Sequence, residues 1–182
     1  MSNYLIPLMV VVPMLCAILV NAFAKFNKSI KVLTFVVAIC LPIIPLLSNY
    51  GLHFFGGYTP MLDNATGVIY HPAITYAFDM LQQIFIVAVG LITFLVAFIY
   101  LSKYKKASGQ YLFLLFMGTA SVTALMLTDD IFNMFVFFEI LALVQVGIVI
   151  ASPMDYSYEM ALKYMILGSI GSPIMLLGIG FL

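Results

Sequence analysis

Residues 131–152, IFNMFVFFEILALVQVGIVIAS, form an apolar segment that contains a single charged side chain, Glu139. A helix rises about 1.5 Å per residue, so a segment of this length crosses the roughly 30 Å hydrocarbon core of a bilayer. A lipid-exposed loop would leave backbone groups unpaired at several kcal/mol each, and barrel strands would alternate polar and apolar residues. The segment therefore predicts a membrane-spanning helix.

Five further segments have the same apolar character, at residues 4–24, 32–49, 80–101, 111–127 and 160–182. The chain is 65% hydrophobic and 8% charged, whereas a soluble domain carries about 25% charged residues. We therefore predict an all-α polytopic membrane protein, with residues 1–182 forming one bundle of about six transmembrane helices. The first segment is too long for a signal-peptide core, so we expect it to be retained. Zero net charge gives no reason to expect a nucleic-acid partner.

The basic residues indicate how the bundle is oriented. All seven are lysines that fall in or beside the first, third and fifth connections: Lys25, Lys28, Lys31, Lys103, Lys105, Lys106 and Lys163. Odd-numbered connections lie on one side of a bundle, and the positive-inside rule makes that side cytoplasmic. We therefore expect the N-terminus to be outside.

The long second connection, residues 50–79, contains turn residues around two β-branched and aromatic runs. This pattern predicts a small hairpin outside the membrane. Both histidines, His53 and His71, fall in this connection, so no histidine pair at membrane depth could bind a haem. Cys16 and Cys40 lie in apolar runs without metal-site spacing, and we expect buried, inert thiols. We therefore expect no metal and no cofactor in this chain.

Two features of the spans concern their packing. Pro42 and Pro45 should make the second helix the most irregular one, because proline removes a backbone hydrogen bond. In the sixth segment, Gly168, Gly171 and Ser172 share a face of small residues that suits close contact with another helix.

Glu139 is the residue that points to chemistry. On an ideal helix it lies about 12 Å and about 20 Å from the two ends of its segment. An isolated acid at that depth costs about 2.5–3.5 kcal/mol, so it is either neutral or paired with a cation. Either state suits a group that takes up and releases a proton during ion translocation. The structural alternative is a protonated Glu139 that bonds a neighbouring carbonyl.

Lys163 lies about one turn inside the sixth segment, roughly 15 Å from the depth of Glu139. A direct salt bridge between them is therefore not expected. Lys163 either extends to the membrane interface or acts on Glu139 through water.

The roles of the other polar residues have two interpretations each. Asp129 and Asp130 either cap the fifth helix or form an acidic outer mouth for an ion path. Thr119, Thr123 and Gln145 either support a chain of water molecules or bond backbone carbonyls.

Residues 127–141, LTDDIFNMFVFFEIL, and residues 160–172, MALKYMILGSIGS, resemble one known family. It comprises the antiporter-like membrane subunits of respiratory complex I, energy-converting membrane hydrogenases and Mrp-type sodium/proton antiporters. The resemblance identifies this chain with the N-terminal six-helix part, and Gly56-Gly57-Tyr58 with Asp79 fit the outer hairpin of such subunits.

The resemblance implies roles for two residues. Glu139 falls on the glutamate that takes part in proton translocation, and Lys163 falls on the basic residue that opens the sixth helix. In the family, the lysine that usually partners the glutamate lies on the seventh helix, beyond Leu182. Either this chain is a fragment or split version of such a subunit, or another chain supplies the cation. The implied function is translocation of protons, or of sodium ions, by a non-catalytic subunit of a membrane redox complex. The alternatives are a subunit of an Mrp-type antiporter and a structural subunit without its own ion path.

Overall fold

The computed structural model describes residues 5–24, 27–48, 50–63, 67–104, 108–151 and 156–181; for residues 27–28, 51–63 and 67–75 it describes the backbone alone. Six helices in these ranges are long and apolar enough to cross a membrane. They are α1 Leu5–Ala22, α2 Asn27–Ile43, α3 Met80–Lys103, α4 Gly109–Leu127, α5 Ile131–Ile150 and α6 Ser157–Gly180. The predicted all-α polytopic fold with about six spans is confirmed. Lys25, Lys105 and Lys106 lie outside the described residues.

The second helix is irregular, as its prolines predict. Pro42 lies within α2, which gives way to a 3₁₀ turn at Ile44–Leu47 that contains Pro45. A proline ring cannot donate to the preceding turn, so the α-helical ladder is interrupted here. The carbonyl of Pro45 accepts a hydrogen bond from Nε2 of Gln83 on α3, at 3.0 Å. The broken end of the second helix is thus tied to the third.

The connection between the second and third helices forms an antiparallel hairpin of β1 Gly51–Asp63 and β2 Gly67–Phe78. The hairpin was predicted, although its strands are longer than the β-branched runs alone indicated. At its base, Tyr76 forms an isolated bridge with Thr128 after α4, and Phe78 is fully buried. These contacts fix the hairpin on the ends of the helices.

Helix packing places α4 at the centre. It contacts α1, α3 and α5 extensively, whereas α2 packs on α3 and α1, and α6 packs on α5. One core cluster, with Ile6, Phe78 and Leu127, marks the end of the bundle that we call the hairpin end. A second cluster, with Val20, Ile30 and Leu112, lies nearer the opposite end, which we call the lysine end.

The last two helices are much less covered than the others. In the most apolar windows of α5 and α6, 11% and 0% of the residues are buried, against 44% in α4. We call the outward-facing sides of α5 and α6 the open flank.

The two cysteines differ in burial. Cys40 on α2 is exposed, which corrects the expectation that both cysteines are buried, whereas Cys16 on α1 is buried. An apolar residue can face outward in such a bundle because lipid is its solvent.

Candidate ion-translocation site

The start of α5 is fixed by side-chain caps. The Asp130 carboxylate accepts a hydrogen bond from the backbone N–H of Phe132 at 2.9 Å, which satisfies a donor at the helix N-terminus. The Thr128 hydroxyl accepts from Nδ2 of Asn133 at 2.9 Å. Asp130 is therefore the N-cap that the sequence suggested, and neighbouring Asp129 is exposed. These contacts fix the residue at which α5 begins.

Glu139 lies well inside α5, about 12 Å from Ile131 and about 16 Å from Ile150 at the ideal rise. Its side chain is half-buried. Among the described residues, it makes no hydrogen bond and no ion pair. The helix thus holds a carboxyl group at membrane depth without a cation from this part of the chain.

Lys163 has a partner on its own helix. Its Nζ donates to Oε1 of Glu159 at 2.6 Å, and the two side chains are 69% and 60% exposed. A glutamate four residues before a lysine is the favourable orientation on a helix, and an acid in the first turn also complements the helix dipole. The described contacts therefore hold Lys163 at the lysine end, away from the depth of Glu139.

The two threonines of the predicted polar relay lie at the interface of α3 and α4. The Thr119 hydroxyl is 2.9 Å from the hydroxyl of Thr93 on α3, and both are buried. Each also approaches a carbonyl of its own helix, at 2.8 Å for Thr119 and 2.9 Å for Thr93. Thr123 donates to the Thr119 carbonyl at 2.8 Å. Hydrogen bonding to a backbone carbonyl, one of the two alternatives for Thr119 and Thr123, is thus observed for both of them.

Thr93 was not singled out from the sequence. A signal for it exists, because Thr93 is the one hydroxyl-bearing residue between Gln83 and Tyr100 in an otherwise apolar helix. Gln145 is exposed on α5 and lies roughly 120° around the helix from Glu139. The hydrogen bonds found among the described residues do not join Glu139, Lys163 and the threonines into one network.

The small-residue face of α6 lies on the open flank. A Cβ atom placed on Gly168 or Gly171 would find no described atom of another element within 4 Å. The close contact expected for this small-residue face is thus not made within the part of the chain that the structure describes. No group of three His, Cys, Asp or Glu side chains that could hold a metal is found in these residues either.

Several known proteins are similar to this chain in sequence or in fold. No family model matches it. An uncharacterised protein of Methanocaldococcus jannaschii is 39% identical over 180 residues, which are 99% of this chain and 36% of that protein. A Staphylococcus haemolyticus protein named as antiporter subunit mnhD2 is 28% identical across 100% of this chain and 36% of its own length.

A chain of the membrane-bound sulfane sulfur reductase, an archaeal respiratory membrane complex, has the same fold. The TM-score is 0.78 over 95% of this chain and 36% of that chain, at 23% identity. The chain is similar to antiporter-like membrane subunits, as its sequence predicted. It spans 36% of the length of these relatives, and this partial length fits the N-terminal part predicted from residues 127–141 and 160–172.

Proposed function

We propose that this chain belongs to a cation-translocating subunit of a multi-subunit membrane redox complex, in which Glu139 is a protonatable relay group. The observation that carries the proposal is the carboxyl group of Glu139, half-buried at membrane depth and unpaired among the described residues. Ionisable side chains inside a membrane are costly, and they mark ion pathways or proton relays.

The chemistry follows from the cost of the charge. Inside a membrane, a carboxyl group in general is more stable when uncharged, and a nearby cation or water stabilises its charged form. A cycle that moves a cation toward and away from Glu139 would therefore load and unload a proton. Electron transfer elsewhere in the complex would drive that cycle.

The cation is proposed to come from a partner at the open flank. Lys163 is bonded to Glu159 near the end of α6, so it would act on Glu139 through water and not directly. Exposed Gln145 and half-buried Glu139 are both unsuited to direct contact with lipid. A neighbouring membrane segment that brings a lysine to α5 would cover Glu139.

The orientation is also a proposal. Nζ of Lys31 donates to the Tyr104 carbonyl at 3.1 Å, so the first and third connections meet at the lysine end. The positive-inside rule then makes this end cytoplasmic and leaves the hairpin end with Asp129 outside. An acidic residue there would suit the outer mouth of a cation path.

The decisive experiment replaces Glu139 in the assembled complex and measures cation uptake in proteoliposomes with dyes for protons and for sodium. Glu139→Gln should abolish translocation while the complex still assembles on a native gel, because the amide cannot exchange a proton. Glu139→Asp is the matched control and should retain part of the transport, since it keeps the carboxyl group. Unchanged transport in Glu139→Gln would contradict the relay role, and lost transport with intact assembly would exclude a purely structural subunit.

A second candidate is a subunit of a sodium/proton antiporter complex without a redox partner. The relative named as antiporter subunit mnhD2 favours it. Purification in mild detergent distinguishes the two candidates. Iron–sulfur proteins that co-purify support the redox complex, and an intact multi-subunit assembly without them supports the antiporter.

A further inference from the structure

The second and third helices touch closely at one point. A Cβ atom on Gly90 of α3 would lie 2.8 Å from the backbone nitrogen of Pro42 on α2. Nearer the lysine end, the rings of Phe35 and Phe94 meet with their centroids 5.9 Å apart. Beyond this ring pair the two helices leave an outward-facing groove of about 330 Å³. Lys31, whose Nζ donates a hydrogen bond to the Tyr104 carbonyl, lines the groove toward the lysine end.

The groove is apolar along its length and basic at one end. Its walls include Val32, Phe35 and Phe98, of which Val32 and Phe98 are 59% and 50% exposed. Lys31 and Ser102 line the end that lies at the helix termini. An ammonium group has three donors, and Nζ of Lys31 makes one described hydrogen bond, so donors remain for a ligand.

We infer that this α2–α3 groove binds one anionic phospholipid from the bilayer. Its phosphate would accept hydrogen bonds from Lys31 and Ser102, and one acyl chain would lie along Val32, Phe35 and Phe98. Basic pockets between transmembrane helices recognise anionic head groups, and a charged donor to a phosphate makes a strong hydrogen bond. Lys103, whose Nζ lies 5.7 Å from the centroid of the Tyr104 ring, adds positive charge at the same helix end.

The size and the charge of the groove suit one lipid. Its volume is near the lower end of the roughly 300–1,000 Å³ range of small-molecule sites. The charge selects among lipids, since a zwitterionic head group carries its own cation and gains less from Lys31.

The test uses the absence of tryptophan from the sequence. Phe98→Trp places the sole tryptophan, which can be excited selectively over tyrosine, on the groove wall of the purified chain in phosphatidylcholine vesicles that contain phosphatidylglycerol. Bromine atoms on the acyl chains of one lipid at a time quench the reporter by contact. The matched control is Ile18→Trp on α1, since Ile18 is 49% exposed and, like Phe98, within about two turns of the lysine end of its helix.

We expect the preference for phosphatidylglycerol over phosphatidylcholine to be about fivefold stronger at the Phe98→Trp reporter than at the Ile18→Trp control. This ratio corresponds to about 1 kcal/mol per lysine. Lys31→Gln should bring the preference down to that of the control, whereas Lys163→Gln, which removes the same charge on α6, should leave it unchanged. Salt at 1 M, where the screening length is about 3 Å, should weaken the preference without any change of sequence.

Equal preference at Phe98→Trp and Ile18→Trp would overturn the inference, and so would a preference that survives Lys31→Gln. Phe35→Trp reports from the opposite wall and decides by the same criteria if Phe98→Trp does not reconstitute. None of these outcomes depends on ion transport, so the lipid site stands or falls separately from the proposed function.

Discussion

Gly90→Ala should loosen the contact between α2 and α3. The added Cβ would lie 2.8 Å from the backbone nitrogen and 3.0 Å from the Cα of Pro42, and 3.1 Å from the carbonyl carbon of Leu41. Ordinary van der Waals contact begins at 3.4 Å, and backbone atoms cannot turn aside as a side chain can. The backbones of the two helices must therefore move apart at this point.

The expected cost is about 1–3 kcal/mol of the free energy of unfolding, the range for forcing an extra methyl group into a packed core. Helix propensity acts in the opposite direction, because alanine is favoured over glycine by up to about 1 kcal/mol in a helix interior. Gly168→Ala is the matched control, since a Cβ there meets nothing within 4 Å among the described residues. Gly118→Ala should fall between the two, because its contact, 3.2 Å to Cγ1 of Val144, is to a side chain.

Cys16 provides the assay. It is 3% exposed and shares a core cluster with Leu41, whose carbonyl carbon the new methyl group would meet. In a Cys40→Ala background, reaction of Cys16 with a thiol-reactive dye during a sodium dodecyl sulfate titration reports unfolding of the bundle. Labelling at a fixed detergent fraction should speed up about tenfold for each 1.4 kcal/mol lost. Labelling of Gly90→Ala that is no faster than that of Gly168→Ala would refute the close packing of α2 on α3.

Two further predictions concern the hairpin end. Burial raises the pKa of Tyr76 above its usual 10.0, while the Asn133 side chain acts in the opposite direction. The folded state favours the neutral phenol, so the contribution of Tyr76 to stability is complete below pH 10 and is lost as pH rises through the raised pKa. Tyr76→Phe should therefore flatten the fall in melting temperature above pH 10, as measured by circular dichroism. An unchanged slope would contradict this. Asp130→Ala should lower the free energy of unfolding in the detergent titration by about 0.5–2 kcal/mol, because it removes the α5 cap. The control Asp129→Ala, at an exposed position, should lower it by less than about 0.5 kcal/mol. Equal losses would argue against the cap.

The architecture was largely predictable because its causes are local. Uninterrupted apolar length identifies each span, and the prolines at 42 and 45 mark where the second helix breaks. The boundaries were less predictable. The helix α2 begins at Asn27 and includes Lys31, which the apolar segment at 32–49 left out. A lysine near a helix end can reach water along its aliphatic stem, so hydropathy underestimates such helices.

The contacts between helices were not predictable from the same pattern. Two of these contacts, Thr93–Thr119 and Gly90–Pro42, depend on the position of α3 along its neighbouring helices. This position could not be predicted, because a helix that is apolar on every side has no hydrophobic periodicity that marks its packed face. For Glu139 the sequence predicted the depth, because depth follows from position along the helix. The source of its cation stays a prediction.

The central position of α4 has a consequence for how the chain assembles in the membrane. The face of α1 around Val20 is covered by α4, where a Cβ on Gly109 would lie 3.3 Å from the Val20 carbonyl oxygen. Three helices must therefore be synthesised and inserted before the first can complete its packing, and contacts that are distant in sequence form late. During that interval α1 must rest on lipid or on the insertion machinery. We expect interruptions of synthesis before α4 to leave products that the cell's quality control removes, whereas interruptions after α4 would leave a bundle whose core is already closed.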